Sequence, residues 1–174
     1  MQDGNHIARI TGFARALCSA QDYHSLLDII SRQTCSNLSA ENLLLWIYDD
    51  VGRALRCEAS SLTTLDRALV REAHPADSGF LGEMLQVEAP RIFQDLEAAS
   101  HLGAAADGLI LQTALFASMH DRANPVGLIE AVNIQGESFT SADVALLAEF
   151  ARLAAPAIIA RRAQEAMGAG MLRP

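Results

Sequence analysis

Cysteine and histidine are the residue types in this chain best suited to covalent or metal chemistry, but their spacing supports neither. Cys18, Cys35 and Cys57 lie far apart, are odd in number and form no CxxC pair, so neither a disulfide framework nor a zinc site is indicated. We expect them to be small core or half-buried residues. His74 and His101 fall in predicted loops, where single histidines are far more often solvated than bound to a metal.

Catalytic motifs do not stand out in the sequence. It contains no Ser/His/Asp order typical of hydrolases, no phosphate-binding glycine-rich loop and no paired-carboxylate motif. A triad assembled in space would leave no sequence signature, but nothing argues for one. The sequence therefore predicts a non-catalytic protein, with no catalytic residue, metal ion or cofactor.

The residues that suggest a ligand site lie at the edges of predicted elements. A short helix is predicted to start at Ser78, where free backbone N–H groups suit a carboxylate or phosphate. Gly79 would allow a ligand to approach closely, and Phe80 would close over it by stacking. The favoured alternatives are that Ser78 caps the helix, Gly79 eases the turn and Phe80 fills the core. Asp95, which ends the next strand, either caps the following turn or helix or contacts the same ligand.

Glu130 is the carboxylate of an otherwise apolar predicted strand, Gly127–Val132. Alternation along the strand gives it the same face as Leu128. A carboxylate in mid-strand either lines a polar cavity or is exposed, and exposure at an edge or surface is the favoured alternative. On the partner strand, Thr113 and Met119 share one face and are candidates to line the cavity, with core packing as the alternative.

Composition narrows the class of protein and its partners. The 174 residues carry a formal net charge of −8, and Arg161–Arg162 is the only adjacent basic pair, a poor match to nucleic acid, whose phosphates must be neutralised. Apolar runs such as Leu43–Ile47 are too short to span a bilayer. The first residues lack a signal-peptide core. We therefore expect a cytoplasmic protein without membrane insertion, folded as a single domain over residues 1–174.

Two predicted helices open the chain, the second with a capping-box-like start formed by Ser19 and Asp22. A β-hairpin follows over residues 43–59. Residues 60–77 are ambiguous between a short helix and an irregular excursion, because Pro75 and polar residues interrupt the apolar pattern. The first half of the chain thus combines helices with one hairpin.

The second half begins with the short helix from Ser78 and a brief strand, Pro90–Phe93. Residues 96–111 are rich in alanine and glycine and are predicted to form a helical turn and loop. Two strands follow, Thr113–His120 and Val126–Ile134. They are close enough in sequence to pair as a second hairpin.

Turn-forming and helix-capping residues predict the elements near the end of the chain. Asn124 and Pro125 are predicted to supply the turn of the second hairpin. The last helix is predicted to start at Thr140, with Asp143 at its third position, and to extend beyond Arg162. Pro156 is expected to kink this helix or weaken its continuity.

These elements predict an α+β fold around a central antiparallel sheet of five or six strands. The N- and C-terminal helices would cover one face of the sheet. The short helix and the loops would cover the other face more loosely, which is where a pocket can form. The core is predicted over residues 13–162, with 1–20 and 155–174 as terminal helical extensions.

The ordered segments resemble the GAF family of sensory domains over most of the chain. FARALCSAQDYHSLLDIISRQTCSNL is similar to the paired N-terminal helices of that family, and LLLWIYDDVGRAL to its first hairpin. DSGFLGEMLQVEAPRIFQD is similar to its glycine-containing helix and short strand. ALFASMHDRANPVGLIEAVN and FTSADVALLAEFARLAAPAIIARR are similar to its second hairpin and closing helix. The PAS domain, a related fold, usually lacks that closing helix.

The resemblance implies a regulatory domain that binds a small molecule, dimerises and biases an attached or partner output module, such as a kinase, cyclase or transcriptional activator. The alternatives are a structural dimerisation module without a ligand and a small redox enzyme that reduces methionine sulfoxide. The redox enzyme would need a reactive cysteine near the pocket, and the cysteines here fall mostly outside the predicted pocket segments. The identity of the ligand is not implied.

Several ligand classes of the family do not match this sequence. Relatives that bind cyclic nucleotides carry Asn-Lys, then Phe, then Asp-Glu, whereas here Asn133 is followed by Ile134, and Asp143 by Val144. Relatives that bind a bilin attach it through a cysteine, commonly beside a histidine, and no cysteine here has such a neighbour. The resemblance therefore implies a different, unassigned small molecule.

The terminal helices suggest how two copies would meet. Four apolar residues at helical spacing form one stripe of the first helix: Ile7, Ile10, Ala14 and Leu17. In the GAF family, which this chain resembles, terminal helices commonly pair between protomers, so this stripe predicts a homodimer interface. The alternative is that the stripe packs only on the sheet of its own chain.

Overall fold

The computed structural model describes residues 2–61, 72–96, 111–133 and 138–171. In these residues the helices are α1 (Gln2–Cys18), α2 (Tyr23–Leu38), α3 (Gly79–Leu85) and α4 (Ser141–Met171). The strands are β1 (Asn42–Asp49), β2 (Ala54–Ser60), β3 (Ala73–Pro75), β4 (Arg91–Leu96), β5 (Leu111–Asp121) and β6 (Asn124–Asn133). The expectations for residues 62–71 and 97–110, and for His101, lie outside this description.

The six strands form one sheet in the order β3-β2-β1-β6-β5-β4. Every neighbouring pair is antiparallel, which confirms the predicted α+β fold with an antiparallel sheet. β1 and β6 are the central pair, although they are far apart in sequence. Residues from the first and second halves of the chain therefore meet at the middle of the sheet.

The sheet has two covered faces. The helix face packs against α1, α2 and α4, and it receives Leu43, Leu45 and Ile47 of β1. The opposite face, which we call the α3 face, is covered by α3 and receives Leu44 and Trp46 from the same strand. Because both faces of β1 are buried, its sequence is a continuous apolar run instead of an alternating one.

Stacked aromatic rings hold the terminal helices together on the helix face. Phe13 of α1 and Phe150 of α4 are fully buried, with ring centroids 3.9 Å apart and planes inclined by 6°. Both helices also contact α2. The predicted layer of terminal helices is therefore confirmed, and its centre is an aromatic pair.

Helix starts were predicted with mixed success. α2 does have a capping box, but Asp22 is its N-cap and Ser25 its reciprocal partner, so the pairing of Ser19 with Asp22 was wrong. The predicted start of α4 is correct, because the Asp143 carboxylate accepts hydrogen bonds from the Thr140 amide and hydroxyl at 2.8 and 2.7 Å. α4 continues as one helix through Pro156, which lies on its exposed side.

Two strand boundaries differ from the sequence prediction. The β5–β6 turn consists of Arg122 and Ala123, with Arg122 in the left-handed region at φ 57°, whereas Asn124 and Pro125 begin β6. β3 was not predicted, because its last residue is Pro75. A proline is tolerated there because β3 is an edge strand, where a missing N–H breaks no ladder.

Gly127 allows the central strands to approach each other. A Cβ atom at this position would clash with the main-chain oxygen of Trp46 on β1, and it would also lie 3.1 Å from the Met119 methyl group. By contrast, a Cβ atom on Gly12 of α1 would have open space around it. The two glycines therefore provide a matched pair of substitutions.

We expect Gly127→Ala to lower the free energy of unfolding by about 1–3 kcal/mol, because the added methyl forces β1 and β6 apart. Gly12→Ala is expected to raise it by about 0.5–1 kcal/mol, because alanine is the better helix former. Urea unfolding followed by circular dichroism measures both. Equal effects of the two substitutions would contradict this account of the β1–β6 contact.

Candidate functional site

The α3 face carries a cluster of three aromatic rings. Phe93 of β4 and Phe116 of β5 come from paired strands, and Phe80 of α3 packs onto both of them. The rings meet edge to face, with centroids 5.2 to 5.7 Å apart. Phe80 is half-buried, and the three rings give the face an apolar wall, which we call the aromatic wall.

Glu130 lies beside this wall and is fully buried, with 0% of its surface exposed. The favoured prediction that it would be exposed was therefore wrong. The indole Nε1 of Trp46 on β1 donates a hydrogen bond of 2.7 Å to the Glu130 Oε2 atom. Strand pairing places Glu130 opposite both Leu44 of β1 and Phe116 of β5, so its side chain belongs to the α3 face.

His74 adds a third polar side chain to this face. β3 pairs with β2, which places His74 opposite Leu55, and its ring meets the Trp46 ring edge to face at 5.2 Å. We call Glu130, Trp46 and His74 the α3-face polar cluster. These side chains bring polar groups together within an otherwise apolar core.

The other predicted ligand residues do not all join this cluster. Ser78 is the N-cap residue of α3, but its hydroxyl makes no capping hydrogen bond. Gly79 follows at φ 71°, a left-handed conformation that favours glycine. Both residues are exposed. Asp95 lies in β4, and its side chain is outside the described part of the structure.

Thr113 and Met119 lie on the opposite side of the sheet. Both are fully buried, and Met119 belongs to the core between the sheet and the terminal helices. Strand β5 alternates, so residues an odd number of positions from Phe116 face the helices. The seven predicted residues therefore do not form one site: Phe80 and Glu130 share the α3 face, whereas Thr113 and Met119 do not.

A second polar cluster, which the sequence did not reveal, joins three distant elements. The Tyr23 hydroxyl of α2 donates a 2.6 Å hydrogen bond to the Glu58 carboxylate of β2. Arg162 of α4 donates to the other Glu58 oxygen at 3.3 Å and to the Tyr48 main-chain oxygen at 3.1 Å. Its guanidinium carbon also lies 5.6 Å from the centre of the Tyr23 ring. We call Tyr23, Glu58 and Arg162 the Tyr23 cluster.

Two further contacts fix the end of α4 to the start of α2. Glu165 accepts a 2.8 Å hydrogen bond from the Tyr23 amide. Arg161 donates to the main-chain oxygens of Ala20 and Gln21 at 2.6 and 3.1 Å. Both residues of the adjacent basic pair, Arg161 and Arg162, therefore make tertiary contacts.

The predicted dimer stripe is divided between core and surface. Leu17 is buried, and Ile10 and Ala14 are half-buried, whereas 63% of Ile7 is exposed. Beside the stripe, an apolar groove of about 330 Å³ runs between α1 and α4, and Ala14, Leu153 and Pro156 line it. The surface of the terminal helices thus combines exposed apolar residues with a groove.

The cysteines offer little support for redox catalysis. Burial raises the pKa of the Cys35 thiol above its ordinary value, which disfavours the reactive thiolate. Cys57 is buried and its thiol donates to the Ala59 main-chain oxygen at 3.4 Å. Cys18 is exposed, contrary to the prediction of a core or half-buried residue. Among the described residues, no three His, Cys, Asp or Glu side chains are grouped to hold a metal ion.

The helices within the described ranges include none with the length and apolarity needed to cross a membrane. This agrees with the prediction from the short apolar runs.

The chain is similar to known proteins in both sequence and fold. The family model of the GAF domain matches residues 22–158. The GAF domain of a phosphoenolpyruvate-protein phosphotransferase from Coxiella burnetii superposes with a TM-score of 0.78 at 18% identity, covering 95% of this chain and 99% of that chain. A search of curated proteins gave no match.

Two further solved structures share the fold. The chromophore-binding domain of a Stigmatella aurantiaca bacteriophytochrome gives a TM-score of 0.70 at 11% identity, covering 90% of this chain and 60% of that chain. The second GAF domain of DevS from Mycobacterium smegmatis gives 0.65 at 19% identity, covering 84% and 99%. At these identities the structures establish the fold, and the family match covers most of the chain.

The Tyr23 cluster makes a prediction for alkaline solution. Burial, followed by the hydrogen bond to Glu58, raises the pKa of Tyr23 above its ordinary value of 10.0. Because the folded protein holds this proton more tightly than the unfolded chain, the associated stability is present below pH 10 and is lost as the pH rises further.

We expect Tyr23→Phe to lower the free energy of unfolding at pH 7 by about 1–2 kcal/mol, because the hydrogen bond to a carboxylate is lost. Above pH 10 the difference from the native protein should shrink, since the variant has no phenol to ionise at this position. Urea unfolding at pH 7, 9 and 10.5 measures the difference. A constant difference across this range would contradict the assigned role of the Tyr23 hydroxyl.

Proposed function

The chain belongs to the GAF domain family, and on this basis we propose that it is a non-catalytic sensory domain that binds a small molecule on the α3 face, dimerises and controls an output module in signal transduction. The observation that carries the proposal is the fully buried Glu130 carboxylate, hydrogen-bonded to Trp46 within an apolar face. Such a group is costly to bury and gives the face a fixed acceptor.

The chemistry of the α3 face suggests the class of ligand. The Glu130 carboxylate is an acceptor group, and the Trp46 indole donates to one of its oxygens. The aromatic wall formed by Phe80, Phe93 and Phe116 suits a flat, mostly apolar body. We infer a heteroaromatic or aromatic ligand with at least one N–H donor, and an anionic group directed at Glu130 is disfavoured.

Transmission to an output module would run through the Tyr23 cluster. Trp46 and Tyr48 belong to β1, which pairs with β2, and β2 carries Glu58. Arg162 of α4 binds both the Tyr48 main-chain oxygen and Glu58. A shift of β1 that accompanies ligand binding would therefore alter the anchoring of α4, as a shift between two populations. A kinase, cyclase or transcriptional activator is the proposed kind of output module.

Trp46 provides the assay, because it is the only tryptophan of the chain and it contacts Glu130 directly. Adenine and L-phenylalanine, which carry N–H donors, are expected to change its fluorescence with saturation, whereas 2-oxobutanoate is expected to have no effect. Glu130→Gln should weaken binding by about tenfold or more, through loss of the charged acceptor. No saturable change with any N–H donor would overturn the proposed site.

The matched control is Glu83→Gln, which changes an exposed carboxylate on α3 itself. It should leave the affinity unchanged. Equal weakening by Glu83→Gln and Glu130→Gln would indicate a general charge effect and would contradict the role given to Glu130. Circular dichroism of both variants establishes that they are folded.

A structural dimerisation module without a ligand is the second candidate function. It is favoured by two features of the terminal helices: Ile7 of α1 and Met167 of α4 are 63% and 64% exposed, and an apolar groove lies between the two helices. Exposed large apolar residues next to a groove are typical of protein interfaces. A stable dimer that responds to none of the ligands above would support this candidate over the sensory one.

Dimerisation itself is tested by sedimentation velocity. Ile7→Asp and Met167→Asp are expected to weaken the dimer by at least about tenfold, because each places a charge in an apolar interface. Val51→Asp is the control, since Val51 is 92% exposed on the β1–β2 turn and should not affect association. A monomeric native protein, or a dimer indifferent to Ile7→Asp and Met167→Asp, would contradict the proposed interface.

A further inference from the structure

The mostly apolar groove of about 330 Å³ between α1 and α4 is a cavity that the proposed function does not use as a ligand site. We call it the α1–α4 groove. Its walls include Leu17 of α1, Leu26 of α2 and Leu153 of α4. Ala157 and Ala160 of α4 also line it, and their short side chains leave room between the helices. The groove is separate from the α3 face, because these helices cover the opposite face of the sheet.

The size of the α1–α4 groove suits a small ligand. Small-molecule pockets have volumes of about 300 to 1,000 Å³, so this groove lies near the lower limit. At roughly 30 Å³ for each heavy atom, which is the share of a water molecule in the liquid, 330 Å³ holds about eleven heavy atoms. An aliphatic chain of about eight carbons with one terminal polar group has this size.

Arg161 is the only charged residue among those that line the α1–α4 groove in the described part of the chain. It is half-buried, and its hydrogen bonds go to neutral acceptors, which are the main-chain oxygens of Ala20 and Gln21 and the Gln164 side chain. These bonds use both Nη1 hydrogens and one Nη2 hydrogen. The Nε–H and the other Nη2 hydrogen have no acceptor among the described residues. The cation is therefore held in place without being neutralised.

The carboxylates nearest to Arg161 in the sequence and in its electrostatic surroundings have other partners. Hydrogen bonds from the backbone and side chain of Ser25 are the main reason that the pKa of Asp22 is lowered, and the Arg161 charge contributes less. Glu165 accepts a hydrogen bond from the Tyr23 amide. Neither carboxylate lines the α1–α4 groove. The groove thus combines apolar walls with one positive charge.

We propose that the α1–α4 groove binds a medium-chain aliphatic carboxylate. The hydrocarbon chain lies along the apolar walls, and the carboxylate accepts hydrogen bonds from Arg161, whose planar fork of donors matches that group. Charge complementarity selects this occupant, because an apolar side chain from a second copy of the protein would leave the Arg161 charge uncompensated. The site lies on the face of the sheet opposite Glu130 and does not depend on the function proposed for that face.

Octanoate below its micelle-forming concentration is the probe, and nitrogen–proton correlation NMR of the full chain is the measurement. Backbone amides near Ala157 and Arg161 are expected to shift with saturation, while the Trp46 indole on the α3 face stays in place. Butanoate should bind at least about a hundredfold more weakly, because each buried methylene strengthens binding about fourfold. Absence of saturable shifts near Ala157 and Arg161, or equal affinity for octylammonium, would overturn the proposal.

Two pairs of variants locate the site. Ala160→Leu should weaken octanoate binding by about tenfold or more, because the larger side chain occupies the groove, whereas Ala163→Leu changes an exposed alanine of α4 outside it and should not. Arg161→Gln should weaken octanoate binding by about tenfold and leave binding of uncharged 1-octanol unchanged. Arg15→Gln, which removes an exposed arginine of α1 outside the groove, should affect neither ligand.

The remaining outcomes separate the ligand from a structural role and from a second copy of the chain. Equal loss of octanoate and 1-octanol binding in Arg161→Gln would mean that the arginine only shapes the groove, and it would overturn the assigned ligand class. In sedimentation velocity, saturating octanoate is expected to leave the sedimentation coefficient unchanged, as is Ala160→Leu. A shift toward monomer with either would assign the groove to a second copy and overturn the proposal.

Discussion

The Glu130 carboxylate is a charge-bearing group on the central strand pair with no exposed surface. Burying such a group costs several kcal/mol unless donors compensate for lost water, and the Trp46 indole supplies one of them at 2.7 Å. This hydrogen bond requires one particular register of β1 against β6, because a slip of one residue would turn Trp46 to the helix face. Gly127 permits the close strand contact that this register needs.

The same central strands separate two sides of the sheet that differ in composition. On the helix face, the stacked rings of Phe13 and Phe150 join the two ends of the chain into one layer. On the α3 face, the aromatic wall lies beside the buried Glu130–Trp46 pair. The Tyr23 cluster connects the sheet to α4.

Local sequence rules predicted much of the fold but not the partners across it. Alternation in β6 correctly gave Glu130 and Leu128 one face, and the Thr140–Asp143 spacing gave the start of α4. The burial of Glu130 could not be predicted, because its donor Trp46 is 84 residues away in sequence. Each strand reveals its own alternation but not its phase relative to its neighbours, which is why Thr113 and Met119 were grouped with residues of the opposite face. Their assignment as ligand residues, like those of Ser78, Gly79 and Asp95, stays a prediction.

The indole Nε1–H signal of Trp46 in a nitrogen–proton correlation NMR spectrum tests the central claim most directly. With one tryptophan in the chain, it is a single, assigned reporter of the hydrogen bond to Glu130. The account predicts that it exchanges slowly with deuterated water, shifts in Glu130→Gln, and moves on addition of adenine but not of 2-oxobutanoate. Rapid exchange with solvent, or a signal that neither the substitution nor adenine moves, would contradict a buried Glu130–Trp46 pair at a ligand-binding face.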